Sequence, residues 1–305
     1  MNIIKTENLT KIFGDTIAVD TVSMHVKQGE IYGFLGLNGA GKTTTIRLLL
    51  GLIRPDFGSC YLFGQKPKQA SGIWNEVGYL VETPHSYPNL TVTENLKVIY
   101  NLRGLKEKSI IKDVISILRL TQYKNKKEKH LSLGNKQRLG LAKALIHKPK
   151  LLILDEPVNG LDPEGIAEIR EFLKDLTQNH GTTIFLSSHI LSEISKLTTR
   201  IGIIHGGKLI KEIDSYELEE QIIKKLLVNT VDNNKAINIL NENNLAVSIN
   251  GDSILEIAEQ NAIAHPEKIA AILVNNNIPP KMLRVFEEDL ESYFLRIIGV
   301  NNIEQ

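Results

Sequence analysis

One stretch constrains this chain more than any other: Gly36-Leu37-Asn38-Gly39-Ala40-Gly41-Lys42-Thr43-Thr44 fits the pattern G-x-x-x-x-G-K-[ST] from Gly36 to Thr43. The apolar run Ile31-Tyr32-Gly33-Phe34-Leu35 before it reads as a buried strand, and Thr44-Thr45-Ile46-Arg47-Leu48-Leu49-Leu50 after it as a helix. Strand, loop and helix together are the context that the pattern needs. Glycines let backbone N–H groups turn inward around a phosphate without side-chain clashes, and the following helix start adds a favourable dipole. Lys42 can reach the outer phosphates as a point charge, and the Thr43 hydroxyl can bind Mg²⁺. The stretch implies a nucleoside-triphosphate site built on an α/β core.

The rest of the composition limits what that site can drive. A length of 305 residues suits one large domain or two ordinary ones, and 42% hydrophobic residues suffice for a packed core. A formal net charge of +1 lacks the basic footprint of a nucleic-acid binder. The single Cys60 suits a reducing cytoplasm. Met1 to Glu7 shows no signal core, and no apolar run approaches the ~20 residues that span a bilayer. The expectation is a cytoplasmic protein, with any membrane span supplied by another chain.

In chain order, Ile3 to Val26 reads as antiparallel strands turning at Gly14-Asp15, with Phe13 just before the turn. Phe13 is either an ordinary strand aromatic or a ring that stacks on a nucleotide base. Arg54 to Ser59 reads as a turn and Tyr61 to Gly64 as a short strand. Val77 to Val81 is a buried strand ending in Glu82, and the following loop to Leu90 is punctuated by prolines. Thr93 to Leu120 is helical with a break near Gly104, its apolar stripe being Ile110, Val114, Ile117 and Leu118. Lys124 to Lys129 reads as a solvated basic loop. Ser132, with Gly134 close behind, is placed as the N-cap of a helix through Leu145 and is also a candidate second phosphate-binding helix start. Leu151-Leu152-Ile153-Leu154 reads as a parallel strand buried on both faces, with Asp155 and Glu156 at the carboxyl end where α/β sheets hold ligands. Asp155 there can hold Mg²⁺ through water, and Glu156 can polarise a water against the γ-phosphate. Asn159 to Pro163 turns into a helix over Glu164 to Thr177, and Thr182 to His189 is a further core strand that puts His189 within reach of the γ-phosphate. Arg200 to Ile213 reads as two edge strands joined at Gly206-Gly207. Past Ser215 the chain turns Asn-rich and alternates short strands and helices, which predicts a small α+β domain.

The order of phosphate loop, Glu82 strand end, Ser132-Leu133-Gly134, Asp155-Glu156, Asp162 and His189 resembles the ATP-binding subunit of ABC transporters over about Ile3 to Glu212. That family's Leu-Ser-Gly-Gly-Gln signature stands here as Leu131-Ser132-Leu133-Gly134-Asn135, and its usual Gln is replaced by Glu82. Glu82-Thr83-Pro84, the later Tyr87 to Thr91 and the ending Glu288 to Phe294 look like the ATP-binding subunits of bacitracin-resistance and lantibiotic-immunity exporters.

The resemblance implies an α/β P-loop NTPase of ABC type over residues 1–214. That fold has a RecA-like core, an antiparallel β subdomain and a helical subdomain at about 83–145, here followed by an accessory α+β domain over 215–305. It implies ATP and Mg²⁺, with Phe13 on adenine, Gly36 to Thr44 around the phosphates, and Thr43 and Asp155 at the metal. Glu156 would polarise the attacking water and His189 would contact the γ-phosphate. Two copies would close head to tail, with Ser132 and Gly134 of one copy facing the loop of the other and Asp162 crossing between them. Glu82 would feel the nucleotide on one side and a cytoplasmic helix of a separate permease on the other. The protein would then lie on the inner face of the membrane through that permease. Competing expectations are an exporter ATPase for another small molecule or lipid, and a non-transport ABC ATPase. The second is disfavoured by the lone phosphate loop, the lack of sustained heptads between Thr43 and Leu131, and the near-neutral charge.

Overall fold

Alternating burial organises the first sheet in the computed structural model, which describes residues 1–68, 72–81, 86–107, 109–190 and 195–299. Asn2–Phe13 (β1) turns at Gly14 and pairs antiparallel with Thr16–Val22 (β2), and its first half pairs with His25–Lys27 (β3). The chain then runs through Ile31–Leu35 (β4) and Lys42–Leu49 (α1) before Phe57–Leu62 (β5) joins β1 antiparallel. Ile4, Leu9, Val19, Val22, Val26 and Leu62 point into one core with Ile46, Leu48 and Leu49 of α1.

The second sheet carries the phosphate-loop strand at its centre. Val77–Leu80 (β6), Leu151–Asp155 (β7), Thr183–Ser188 (β8) and Arg200–His205 (β9) run parallel to β4, and Lys208–Asp214 (β10) closes one edge antiparallel to β9. The order is β10-β9-β4-β8-β7-β6. Every residue of β4, β7 and β8 is buried, as befits strands covered on both faces. Tyr32 stacks on Phe185 at 5.6 Å between ring centres, and Phe34 tilts against the same ring at 5.4 Å. This register brings the ends of β4, β7 and β8 together, which is where the motif residues lie.

Between β6 and β7 stand Val92–Leu102 (α2), Ile110–Ile117 (α3) and Leu133–Leu145 (α4), and Pro163–Gln178 (α5) crosses from β7 to β8. Helix α2 starts on a complete capping box, with Thr91 Oγ1 accepting from Glu94 N and Thr91 N donating to Glu94. Asn95 follows, 1% exposed, and ties the preceding segment down. Its Oδ1 accepts from Tyr87 N at 2.8 Å, and its Nδ2 donates to Tyr87 O, Leu90 O and Thr91 O.

The chain divides into two compact units, Met1–Tyr216 and Glu217–Gln305. In the second, Lys224–Thr230 (β11), Val247–Ile249 (β12), Leu255–Ile257 (β13) and Pro280–Glu287 (β14) form an antiparallel sheet in the order β12-β13-β11-β14. Its core joins Leu226, Val228, Leu255 and Ile257 to Leu240 and Leu273 of the helices Asn233–Glu242 and Pro266–Asn275.

Several local expectations change. The segment expected to turn through Ser59 becomes strand already at Phe57, because Gly58 with φ +75° lets β5 press onto the Asn8 backbone of β1. Strand β9 is interior rather than an edge, since it pairs with β4 as well as β10. Ile117 is 55% exposed and leaves the apolar stripe, whereas Ile110, Val114 and Leu118 remain buried. Glu128, inside the basic run, is buried and pairs with Lys136 at 3.2 Å. The helices Ser215–Gln221 and Gln260–Ala264 carry no strong sequence signal and are additions. Glu82, with residues 83–85, lies outside the described residues.

Candidate nucleotide site

The phosphate loop is walled by backbone on two sides. Gly41 has φ +105°, and a Cβ there would stand 2.4 Å from the Ala18 carbonyl of β2. A Cβ on Gly36 would stand 2.5 Å from the Ile204 carbonyl of β9. Gly207 N donates to Ala40 O at 3.1 Å, and Asp20 N donates to Gly207 O at 2.9 Å. Leu37, Asn38, Gly39 and Ala40 complete the turn between β4 and α1, Gly39 also takes a positive φ, and Thr44 lies in the first turn of α1. Lys42, 6% exposed, donates to Gly36 O at 2.7 Å and Leu37 O at 3.2 Å, which folds its ammonium over the loop mouth.

The carboxylates meet this loop directly. Thr43 Oγ1 donates to Asp155 Oδ2 at 2.7 Å, and Ser187 Oγ donates to Asp155 Oδ1 at 2.5 Å. Glu156 Oε1 lies 3.4 Å from Lys42 Nζ, and Glu156 Oε2 lies 2.9 Å from His189 Nδ1. The Glu156 backbone has φ +49°, in the left-handed region that costs a non-glycine residue about 1–2 kcal/mol. Two side chains hold it there: Gln137 Nε2 donates to Glu156 O at 3.1 Å, and Glu156 N donates to Ser187 Oγ at 3.1 Å. Ser187 and Gln137 are the positioning residues that sequence reasoning missed. A hydroxyl or hard carboxylate donor set of this kind suits Mg²⁺, which takes few protein ligands and completes its shell with water and phosphate.

A second group of motif residues lines a separate cavity of about 760 Å³ that includes none of the first group. Ser132 caps α4, accepting from Asn135 N at 3.3 Å, and Asp162 caps α5, accepting from Gly165 N at 3.0 Å. The two caps interlock. Leu133 packs over Gly160, where a Cβ would lie 2.4 Å from Leu133 Cδ2, and a Cβ on Gly134 would lie 3.1 Å from Leu161 Cδ2. Arg138 Nη2 binds Glu168 Oε2 at 2.8 Å and so ties α4 to α5. Within one copy, then, Lys42, Thr43, Asp155, Glu156 and His189 form one constellation, and Ser132, Gly134 and Asp162 form another. Phe13 is 49% exposed at the β1–β2 turn, with Lys11 Nζ 5.2 Å from its ring centre.

A further groove of about 560 Å³ opens between α1, β6, α2 and α4, lined in part by Arg47, Leu52, Tyr79, Leu102, Arg103 and Lys143. Leu52, Tyr79 and Leu102 are exposed there, and burial lowers the pKa of both Arg103 and Lys143. Behind it, burial pushes His147 down to about 4, with the Arg103 charge adding to the effect.

Comparison with known proteins gives the family and the fold. Residues 19–159 match the family described as ABC transporter. The bacitracin transport ATP-binding protein BcrA of Bacillus licheniformis is 44% identical over 99% of both chains. The lantibiotic transport ATP-binding protein SrtF of Streptococcus pyogenes is 39% identical, over 74% of this chain and 97% of its own. Among solved structures, an ATP-binding subunit of an ABC transporter matches 72% of this chain and 92% of its own at 28% identity and a TM-score of 0.65. A dimeric ATP-binding cassette in a post-hydrolysis state, bound to ADP and Pi, matches 70% of this chain and 98% of its own at 25% identity and a TM-score of 0.64.

Proposed function

This chain belongs to the ATP-binding proteins of ABC transporters, and on that premise we propose that it energises export of a peptide antibiotic of the bacitracin or lantibiotic kind. It is an ATP hydrolase that binds nucleotide in its phosphate loop. The observation that carries the mechanism is the Glu156 carboxylate held between Lys42 and His189 at the carboxyl end of β7.

ATP would enter with its phosphates on the N–H groups of Gly39 to Thr44, and its γ-phosphate would draw Lys42 Nζ from the Gly36 and Leu37 carbonyls. That releases Glu156 Oε1 to accept a proton from the attacking water, while His189, held by Oε2, faces the γ-phosphate. Mg²⁺, held by Thr43 and, through water, Asp155, would supply charge neutralisation as the phosphate leaves. Ser187 keeps Asp155 and Glu156 in register during this exchange.

The half-site in one copy leaves the far side of the triphosphate bare. A second copy closing head to tail brings Ser132, Gly134 and Asp162 to that side, so ATP favours the closed pair and hydrolysis reopens it. Phe13 stacks on adenine. The groove beside Tyr79 and Arg103 receives a cytoplasmic helix of a separate permease. No described helix is long and apolar enough to cross a membrane. The permease would hold the chain on the inner face. The second unit would regulate the pair or support its assembly.

Glu156→Gln tests the mechanism. Removing the base lowers turnover by about 10²–10⁴-fold, leaves ATP binding intact and traps the ATP-bound dimer. Near-normal hydrolysis would remove Glu156 from the role. The cargo is tested separately: cells in which this chain carries Lys42→Ala become sensitive to bacitracin or to a lantibiotic, and unchanged sensitivity to both assigns the cargo to another class.

A further inference from the structure

The hydroxyl of Ser132 is saturated as an acceptor. Asn135 donates to it twice, from the backbone N at 3.3 Å and from Nδ2 at 3.0 Å. A serine hydroxyl offers two lone pairs and one proton, so with both lone pairs taken the proton must point elsewhere. Ser132 is exposed and lines the cavity shared with Gly134 and Asp162, so that proton is presented to whatever enters it.

The same chain contains the opposite arrangement. At the start of α2, Thr91 Oγ1 also accepts a backbone donor, from Glu94 N. There the side chain three residues on is a carboxylate, and it takes the hydroxyl proton: Thr91 Oγ1 donates to Glu94 Oε2 at 2.8 Å. That cap is closed on itself and serves the helix alone. Substituting an amide for a carboxylate at this one position reverses the hydroxyl from a consumed donor to a free one.

We propose that Asn135 is a positioning residue that makes the Ser132 hydroxyl an obligate donor toward a phosphoryl oxygen of the triphosphate held by a second copy of this chain. This rests on the head-to-tail reading above. It gives a physical role to a departure from the Leu-Ser-Gly-Gly-Gln pattern, because the shorter amide of Asn135 lies back on the hydroxyl beside it.

The test uses the full chain carrying Glu156→Gln, with closure followed by sedimentation as ATP–Mg²⁺ is raised. Asn135→Asp converts the cap to the Thr91–Glu94 type. Its carboxylate takes the Ser132 proton, and the ATP concentration needed for closure rises about 10-fold or more, as it does for Ser132→Ala. Asn135→Ala leaves the hydroxyl free to rotate and costs about 3-fold. ATP affinity of the monomer stays unchanged in each variant, because the hydroxyl acts on the other copy's nucleotide. An acid in the first turn of α4 also favours the helix, so Asn135→Asp is at least as heat-stable as the parent, which separates its effect from misfolding.

Simple repulsion of phosphate by the new charge is distinguished by Ser132→Ala/Asn135→Asp. If the aspartate acts through the hydroxyl, the pair is no worse than Ser132→Ala alone; if the two losses multiply, the proposal is wrong. Closure of Asn135→Asp at the parent's ATP concentration while Ser132→Ala fails also overturns it. Normal closure of Ser132→Ala overturns the head-to-tail reading itself, and this proposal with it.

Discussion

Asn95 offers the sharpest quantitative test of how the segment before α2 is held. Asn95→Ala removes one acceptor and one forked donor. The three carbonyls keep other partners: Leu90 N donates to Tyr87 O, Glu128 N to Leu90 O, and Asn95 N itself to Thr91 O. Tyr87 N is different, because its hydrogen bond is to Asn95 Oδ1 at 2.8 Å. A part-buried donor left unpaired costs about 1–2 kcal/mol, and the lost amide donations add about 1 kcal/mol, so the expected loss is about 2–3 kcal/mol. A chain of two units does not unfold as one step, so the loss is best read by native-state hydrogen exchange. Amides of α2 and Tyr87 should exchange about 30- to 140-fold faster than in the parent, given tenfold per 1.4 kcal/mol. Asn95→Asp keeps the acceptor for Tyr87 N but sets a carboxylate against three carbonyl oxygens. It should protect the segment near pH 4, where a proton restores the donor, and lose that protection toward pH 7. Exchange within about twofold of the parent for Asn95→Ala would show that the side chain is not what holds the segment.

His147 predicts an acid limb to stability. Its folded-state pKa lies near 4 against an ordinary 6.5, so the unfolded chain binds the extra proton between those values. The stability it contributes is complete above about pH 6.5 and is lost as pH falls toward 4. Arg103 and Glu76 face it with opposite effects, and Val77 O lies 3.0 Å from Nε2. His147→Gln should flatten this limb in thermal melts taken from pH 7 to pH 4, and an unchanged slope would remove the assignment. Gly160→Ala meets both an unfavourable backbone, φ +76°, and Leu133 Cδ2 at 2.4 Å. It should raise the ATP needed for closure while sparing monomer affinity, with Leu133→Gly restoring part of the loss; full closure by Gly160→Ala would show that the interlock is dispensable.

The residues that were legible in the amino-acid sequence are those whose environment forces a local pattern. Strands β4, β7 and β8 are covered on both faces, so their burial is written as unbroken apolar runs. Asp155 and Glu156 stand out because acids end such a run. Ser187 was not legible, because its role comes from register. Pairing of β7 with β8 sets Asp155 beside Ser187, and a serine near a strand end carries no mark of that. The position of β9 was hidden for the same reason, since its pairing with β4 depends on residues far apart in the chain. Asn135 was visible as an altered signature position, but the direction of its hydrogen bond depends on the cap geometry of α4. Gln137 was invisible for a related reason: the strained Glu156 carbonyl that it holds is made by the turn after β7.

The walls of the phosphate loop also set a timetable. Strand β4 leans on Thr199, whose hydroxyl accepts from Ile31 N across 168 residues of chain, and the loop itself closes against Ile204 and Gly207. On a ribosome adding ~5–20 residues per second, those walls emerge ~10–30 s after the loop does. During that interval Gly41 has Ala18 beside it, but Gly36 lacks the Ile204 carbonyl that it presses against. Nucleotide capture is therefore among the last properties that the nascent first unit acquires, and a chain halted before β9 carries the motif without the cradle.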